Sequence, residues 1–271
     1  MDEEERIYRK VESIVRQDNR STYIGEDDLV RLTQRGITVT FHLKHEKLDV
    51  INLLRTIKRT QKIIGEKLGY TLDDIRVNIY RSGAEVLRDG GRRNPYASWA
   101  AGYFDGEITI VSEEDDEEEA KSLFIYLTHE IIHCAVHEIT GGRCPFWLDE
   151  GLSVFLSQEL PDGYLESLHD ALETGSLLPL RGLENPDDRI LDDEEQRRIA
   201  YAEAACMVEC LVVSPFHGWE RVKGLLRNLK KEDMDGALLE QCLSYDLIQS
   251  DMEKWAKKKI GEIIPADRRI L

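Results

Sequence analysis

Between Ser112 and Glu138 the sequence prescribes a helix that must be buried on nearly every side. At about 100° per residue, Ala120, Leu123, Phe124, Leu127, Ile131, Cys134 and Ala135 fall on one broad stripe, and Ile125, Ile132 and Val136 cover a second flank. The remaining wedge holds Ser122, Tyr126, His129, Glu130, His133 and His137. A helix this apolar belongs inside a fold, and its polar wedge then needs polar partners or an ion. Ser112 and Asp115 form a candidate capping box at its start. The acidic run Glu113 to Glu119 reads as a solvated first turn matched to the helix dipole, because consecutive helical residues point in different directions.

Inside the wedge lies His129-Glu130-Ile131-Ile132-His133. This spacing puts two imidazoles one turn apart on the same face, close enough to share one ion. Glu130 points to the flank of that face, where it can reach a water held by the metal without ligating the metal itself. The chemistry expected is a catalytic Zn2+ site, with His129 and His133 as ligands and Glu130 as the general base of a peptidase. The same residues also admit a buried His/Glu cluster satisfied by hydrogen bonds alone. His137, one turn further, reads as a histidine behind or at the rim of the site rather than a ligand. A metzincin would need Gly at 136 and His at 139; Val136 and Ile139 stand there and exclude that class.

Ahead of this helix the pattern is mixed. Ile37 to Leu43 alternates β-branched and polar residues and predicts a strand, as does Ile75 to Tyr80. Asp49 to about Leu68 carries apolar residues at helical spacing, with Gly69 as its stop. Trp99 to Tyr103 and Glu107 to Val111 flank Asp105-Gly106, a hairpin signal. A charged amphipathic helix is expected over residues 3 to 17, either packed on the outside or covering the cleft. From Ser112 onward the chain reads as almost wholly helical. The expected fold is therefore α+β, with a small mixed N-terminal β-sheet and helices, then the active-site helix and a mostly helical C-terminal half. Residues 1–30 are expected as a helical extension and 31–271 as one catalytic domain, made of an α/β half (31–111) and a helical half (112–271).

Composition narrows the partners. A formal net charge of -17, with no basic stripe to offset it, argues against nucleic acid. No apolar run reaches the roughly 18 residues of a membrane span. The opening MDEEERIYRK contains no apolar segment of a signal peptide. Five cysteines, odd in number and without a Cys-x-x-Cys pair, read as reduced thiols, so a cytoplasmic location is expected. Cys206 and Cys210 share a helix face and read as core packing.

A catalytic zinc site wants three protein ligands and an open position. Downstream, Pro145 opens a second helix, in which Trp147, Leu148, Leu152, Phe155 and Leu156 would pack it on the first and Gly151 would allow close approach. His129-Glu130-x-x-His133, then sixteen residues, then Glu150 within Trp-Leu-Asp-Glu-Gly-Leu resembles the gluzincin metallopeptidases. The resemblance is to the bacterial peptidase MA-like domains, with aminopeptidase N-type and thermolysin-type enzymes more distant. It implies a zincin-like fold, a peptide or protein substrate, and Glu150 as the third zinc ligand. It also implies that a tyrosine on a later helix supports the oxyanion. Tyr201 matches that segment, the alternative being a packing tyrosine; His217 is a weaker candidate that reads as a helix-end residue. In that family the hairpin strand above the site binds extended substrate by strand addition. The Gly-x-Met-Glu-Asn segment that anchors a free amino terminus is absent, and the spacing to Glu150 is shorter than in the aminopeptidase branch, which argues against exopeptidase activity.

Two rivals remain at this stage. Peptide deformylases use the same helix motif with an upstream cysteine ligand, but every cysteine here follows His133. A non-catalytic zinc-binding or regulatory domain could keep the fold, although such a site has no need of Glu130 and is usually closed by a fourth ligand.

Overall fold

A computed structural model of the chain describes residues 21–24, 29–34, 36–42, 49–88, 102–111, 117–159, 162–213 and 218–263. The helix expected over residues 3–17, the capping box at Ser112 and His217 lie outside them. The chain divides into two compact units, Met1–Gly65 with Thr71–Cys134, and Glu66–Tyr70 with Ala135–Leu271.

The first unit is built on a six-stranded sheet of β1 (Ser21–Ile24), β2 (Leu29–Gln34), β3 (Ile37–His42), β4 (Ile75–Tyr80), β5 (Gly102–Phe104) and β6 (Ile108–Val111). Its order is β1-β2-β3-β4-β6-β5. The β3/β4 and β4/β6 pairs are parallel and the others antiparallel, so the sheet is mixed. Alternation puts Ile37, Val39 and Phe41 of β3 on the buried face, in register with Ile75, Val77 and Ile79 of β4. Helix α1 (Val50–Leu68) connects β3 to β4, the crossover that a parallel pair requires. Asp49 caps it, its Oδ1 accepting from the amides of Ile51 and Asn52 at 3.1 Å each. Leu53, Leu54, Ile57 and Ile64 form its buried stripe. A short α2 (Gly83–Arg88) follows β4. The hairpin forms as expected, with Asp105-Gly106 at the turn between β5 and β6. Strands β1 and β2 carried no strand expectation.

Helix α3 (Glu117–Thr140) begins in the first unit and ends in the second. In the first unit Thr128 Oγ1 lies 3.4 Å from Thr60 Oγ1 of α1. The second unit continues with α4 (Phe146–Ser157), α5 (Asp162–Thr174), α6 (Asp188–Asp192), α7 (Glu194–Val213), α8 (Trp219–Leu229), α9 (Met234–Glu240) and α10 (Tyr245–Ile263). No strand occurs among its described residues, as the sequence pattern predicts. Helix α7 is its centre and packs against α4, α5, α6, α8 and α10. Ala200, Ala202, Ala204 and Ala205 are buried along it, and these small side chains let neighbouring backbones come close. Cys206 and Cys210 are buried in this core as free thiols, and burial pushes them up to about 12 and about 11. No helix among the described residues is long and apolar enough to cross a membrane.

One buried group in α7 makes stability depend on pH. Glu203 is wholly inaccessible to solvent; its Oε1 accepts from Leu178 N at 2.8 Å, and its Oε2 has no hydrogen-bond partner among the described residues. Burial raises its pKa from 4.5 to about 8, with Glu253 adding to the rise and the Leu178 amide opposing it. The folded chain therefore holds a proton there that the unfolded chain releases above about 4.5, and stability falls as pH rises from there to about 8. In Glu203→Gln this dependence is absent. Denaturant titrations at pH 4.5, 6.5 and 8.5 should show the stability difference moving steadily in the variant's favour; parallel curves would show that Glu203 is ionised throughout.

Candidate metal centre

The polar wedge of α3 survives folding. Leu127, Ile131, Ile132, Ala135 and Val136 are fully buried, and His129 and Glu130 are buried among them at 7% and 8% exposure. His133 is partly buried. The two imidazoles meet edge to face, with Nε2 of His129 and Nε2 of His133 2.8 Å apart. Two ring nitrogens aimed at one point is the outcome of the i, i+4 spacing on a straight helix.

Helix α4 supplies the third group. His129, His133 and Glu150 each offer a ligand atom, and these atoms all lie within 4.8 Å of one another. Two imidazoles and one carboxylate make a mixed nitrogen and oxygen set of three, the composition that suits a zinc ion retaining an open position. Asp149, the neighbouring carboxylate, is not in this group.

Glu130 stands apart from the three and lies against the edge strand. A Cβ built on Gly102 of β5 would sit 3.1 Å from Glu130 Cγ and 3.2 Å from its Oε1. The bare backbone of Gly102 thus makes room for that carboxylate. His137 is exposed, with its ring against Gly142, and takes no place in the group of three.

The geometry of α4 differs from expectation in one respect. Gly151 was expected to admit the site helix, yet what it admits is α7: a Cβ there would stand 2.3 Å from the carbonyl oxygen of Ala204. Only a residue without a side chain allows this approach. Tyr201 lies two turns into α7. Its ring packs edge-on against Phe146 of α4 at 5.5 Å and Tyr164 of α5 at 6.4 Å.

Tyr164 escaped the sequence reading. Burial and then the Glu159 carboxylate raise its pKa, Arg197 and Arg198 oppose this, and the charge of Glu150 adds a smaller rise. Nothing in its local sequence marks it, because only the packing of α5 on α7 brings it beside Glu150's field.

An α+β chain with a His-His-Glu group of this kind has the outline of a metallopeptidase-type domain. Residues 69–258 match the model of the Peptidase MA superfamily, more than two thirds of the chain, and the chain belongs to that superfamily. Members are generally metal-dependent and protease-like, which implies peptide or protein substrates. No curated protein matches the chain.

Proposed function

We propose that this chain is a zincin-like, gluzincin-type peptidase that hydrolyses peptide bonds with one Zn2+ held by His129, His133 and Glu150. The observation that carries this reading is the convergence of those three ligand atoms within 4.8 Å, with Glu130 buried on the same helix. Zinc at such a site supplies Lewis acidity, polarising a scissile carbonyl and acidifying water. Glu130 then takes the proton of the attacking water and passes it to the leaving amine. Tyr201 donates its hydroxyl hydrogen to the developing oxyanion, a contribution of about 3 kcal/mol for a donor of this type. The substrate chain adds as an extended strand to β5, the sheet edge that carries Gly102 beside Glu130. Five free thiols, three of them buried, suit a reducing compartment such as the cytoplasm.

The test is elemental analysis of wild type and His133→Ala, followed by a peptide-library screen. About one zinc per chain that is lost in the variant, with cleavage by the wild type, is the expected result. Zinc without cleavage of any peptide would turn the reading to a non-catalytic zinc-binding domain. No metal in either protein would return it to a hydrogen-bonded polar cluster.

Gly102 gives a sharper prediction. In Gly102→Ala the new methyl presses on Glu130 and on Ile110 Cδ1, 2.7 Å away, so the carboxylate must shift by a few tenths of an ångström. Turnover should fall by roughly 10- to 100-fold with metal content unchanged, since small misplacements of a catalytic group cost this much. Steady-state kinetics beside metal analysis reads it, and an unchanged kcat would place the working position of Glu130 away from β5.

A further inference from the structure

Helix α4 starts at Pro145, whose side chain makes no capping hydrogen bond. The leading amides of a helix need partners, and a proline side chain has no acceptor to offer. They are held from far along the chain: Phe146 N donates to Glu184 O and Trp147 N to Leu183 O, both at 3.0 Å. Those carbonyls end a strap, residues 176–184, that links α5 towards α6 without regular helix or strand. Leu180 and Leu183 seat the strap in the core.

Three side chains tie it down. Leu178 N donates to Glu203 Oε1 of α7 at 2.8 Å, and Leu180 N to Gln249 Oε1 of α10 at 3.1 Å. Arg181 forks onto Asp235 at 2.8 and 3.2 Å, on the exposed surface. Of the three side chains, only Glu203 is itself fully buried. Glu203 also precedes Ala204, whose carbonyl is the surface that Gly151 rests on. Helix α4 is thus gripped at its first turn by the strap and at Gly151 by α7, and Glu150 lies between the two grips. Glu203 joins them.

We propose that Glu203 is a positioning residue for Glu150: by holding Leu178 it fixes the strap carbonyls that cap α4, and so sets where that helix presents its carboxylate. This rests on the reading of Glu150 as a metal ligand. A helix that loses its cap frays at its first turn, and Glu150 follows directly on that turn. The same α4 terminus carries Phe146, whose ring meets Tyr201, so the strap bears on both residues.

The experiment compares Glu203→Gln, which keeps a carbonyl acceptor for Leu178 N, with Glu203→Met, which keeps volume without it. Zinc affinity is read by chelator competition, and the Phe146 and Trp147 amides by hydrogen exchange. The glutamine variant should match wild type on both. The methionine variant should bind zinc about 10- to 100-fold more weakly, the range for loss of a group that orients a ligand. Its Phe146 and Trp147 amides should exchange faster than those in the rest of α4. Rescue by glutamine separates a hydrogen-bonding role from bulk packing. Zinc bound as tightly as by wild type, or unaltered exchange at Phe146 and Trp147, in Glu203→Met overturns the proposal. Should that variant not fold, Leu178→Pro deletes the donor of the same bond, and the same two readings decide. If wild type takes up no zinc, the metal reading falls by itself, and the exchange rates still support or overturn the tie between Glu203 and α4.

Discussion

Glu130→Gln is expected to keep its metal and to lower turnover on any cleaved peptide by about 100- to 10,000-fold, the usual contribution of a positioned general base. Glutamine has nearly the shape of glutamate, so it can occupy the space beside Gly102 without disturbing the buried helix around it. It cannot accept a proton from water. Since the three candidate ligand atoms belong to His129, His133 and Glu150, the change leaves that donor set intact. Metal analysis and kcat on the same preparation make the measurement. Full turnover in the variant would remove the general-base role, and loss of metal would make Glu130 a ligand instead.

Gly151→Ala should lower the melting temperature although it improves helix propensity. Alanine is favoured over glycine inside a helix by about 1 kcal/mol. Here the added methyl would lie 2.3 Å from Ala204 O and 2.7 Å from Val208 Cγ2. A side chain could rotate away, but the Ala204 carbonyl is part of a helix backbone. Overpacking of this sort costs about 1–3 kcal/mol and occasionally more, so the net effect is destabilising. The expected fall in Tm is on the order of 5 °C. Because Glu150 is the adjacent residue, metal affinity measured well below the melt should weaken too. A variant that melts at or above the wild-type temperature would show that α4 and α7 can part at no cost.

Much of this was legible from residue order. The i, i+4 histidines and the apolar stripes around them specify a buried helix with converging imidazoles, since both depend only on helical geometry. The alternation in Ile37–His42 and Ile75–Tyr80 and the Asp105-Gly106 turn fixed three elements of the sheet for the same local reason. Glu150 was reached by resemblance rather than by periodicity.

What local pattern could not carry was partnership between distant segments. Strands β1 and β2 have no strong signal of their own and are defined by pairing, β2 with β3 and β1 with β2. Gly151 announces a close approach, but only the fold decides that α7 is what approaches. Glu203 reads as an ordinary polar residue of a helix, and its burial, raised pKa and hold on Leu178 come from the strap laid over α7. Sequence by itself determined which helix carries the paired histidines of the candidate site, because periodicity is a property of neighbours along the chain. Tertiary structure decided what holds the helix that presents Glu150, because hydrogen bonds between residues 38 positions apart (Phe146 and Glu184) leave no mark in either segment.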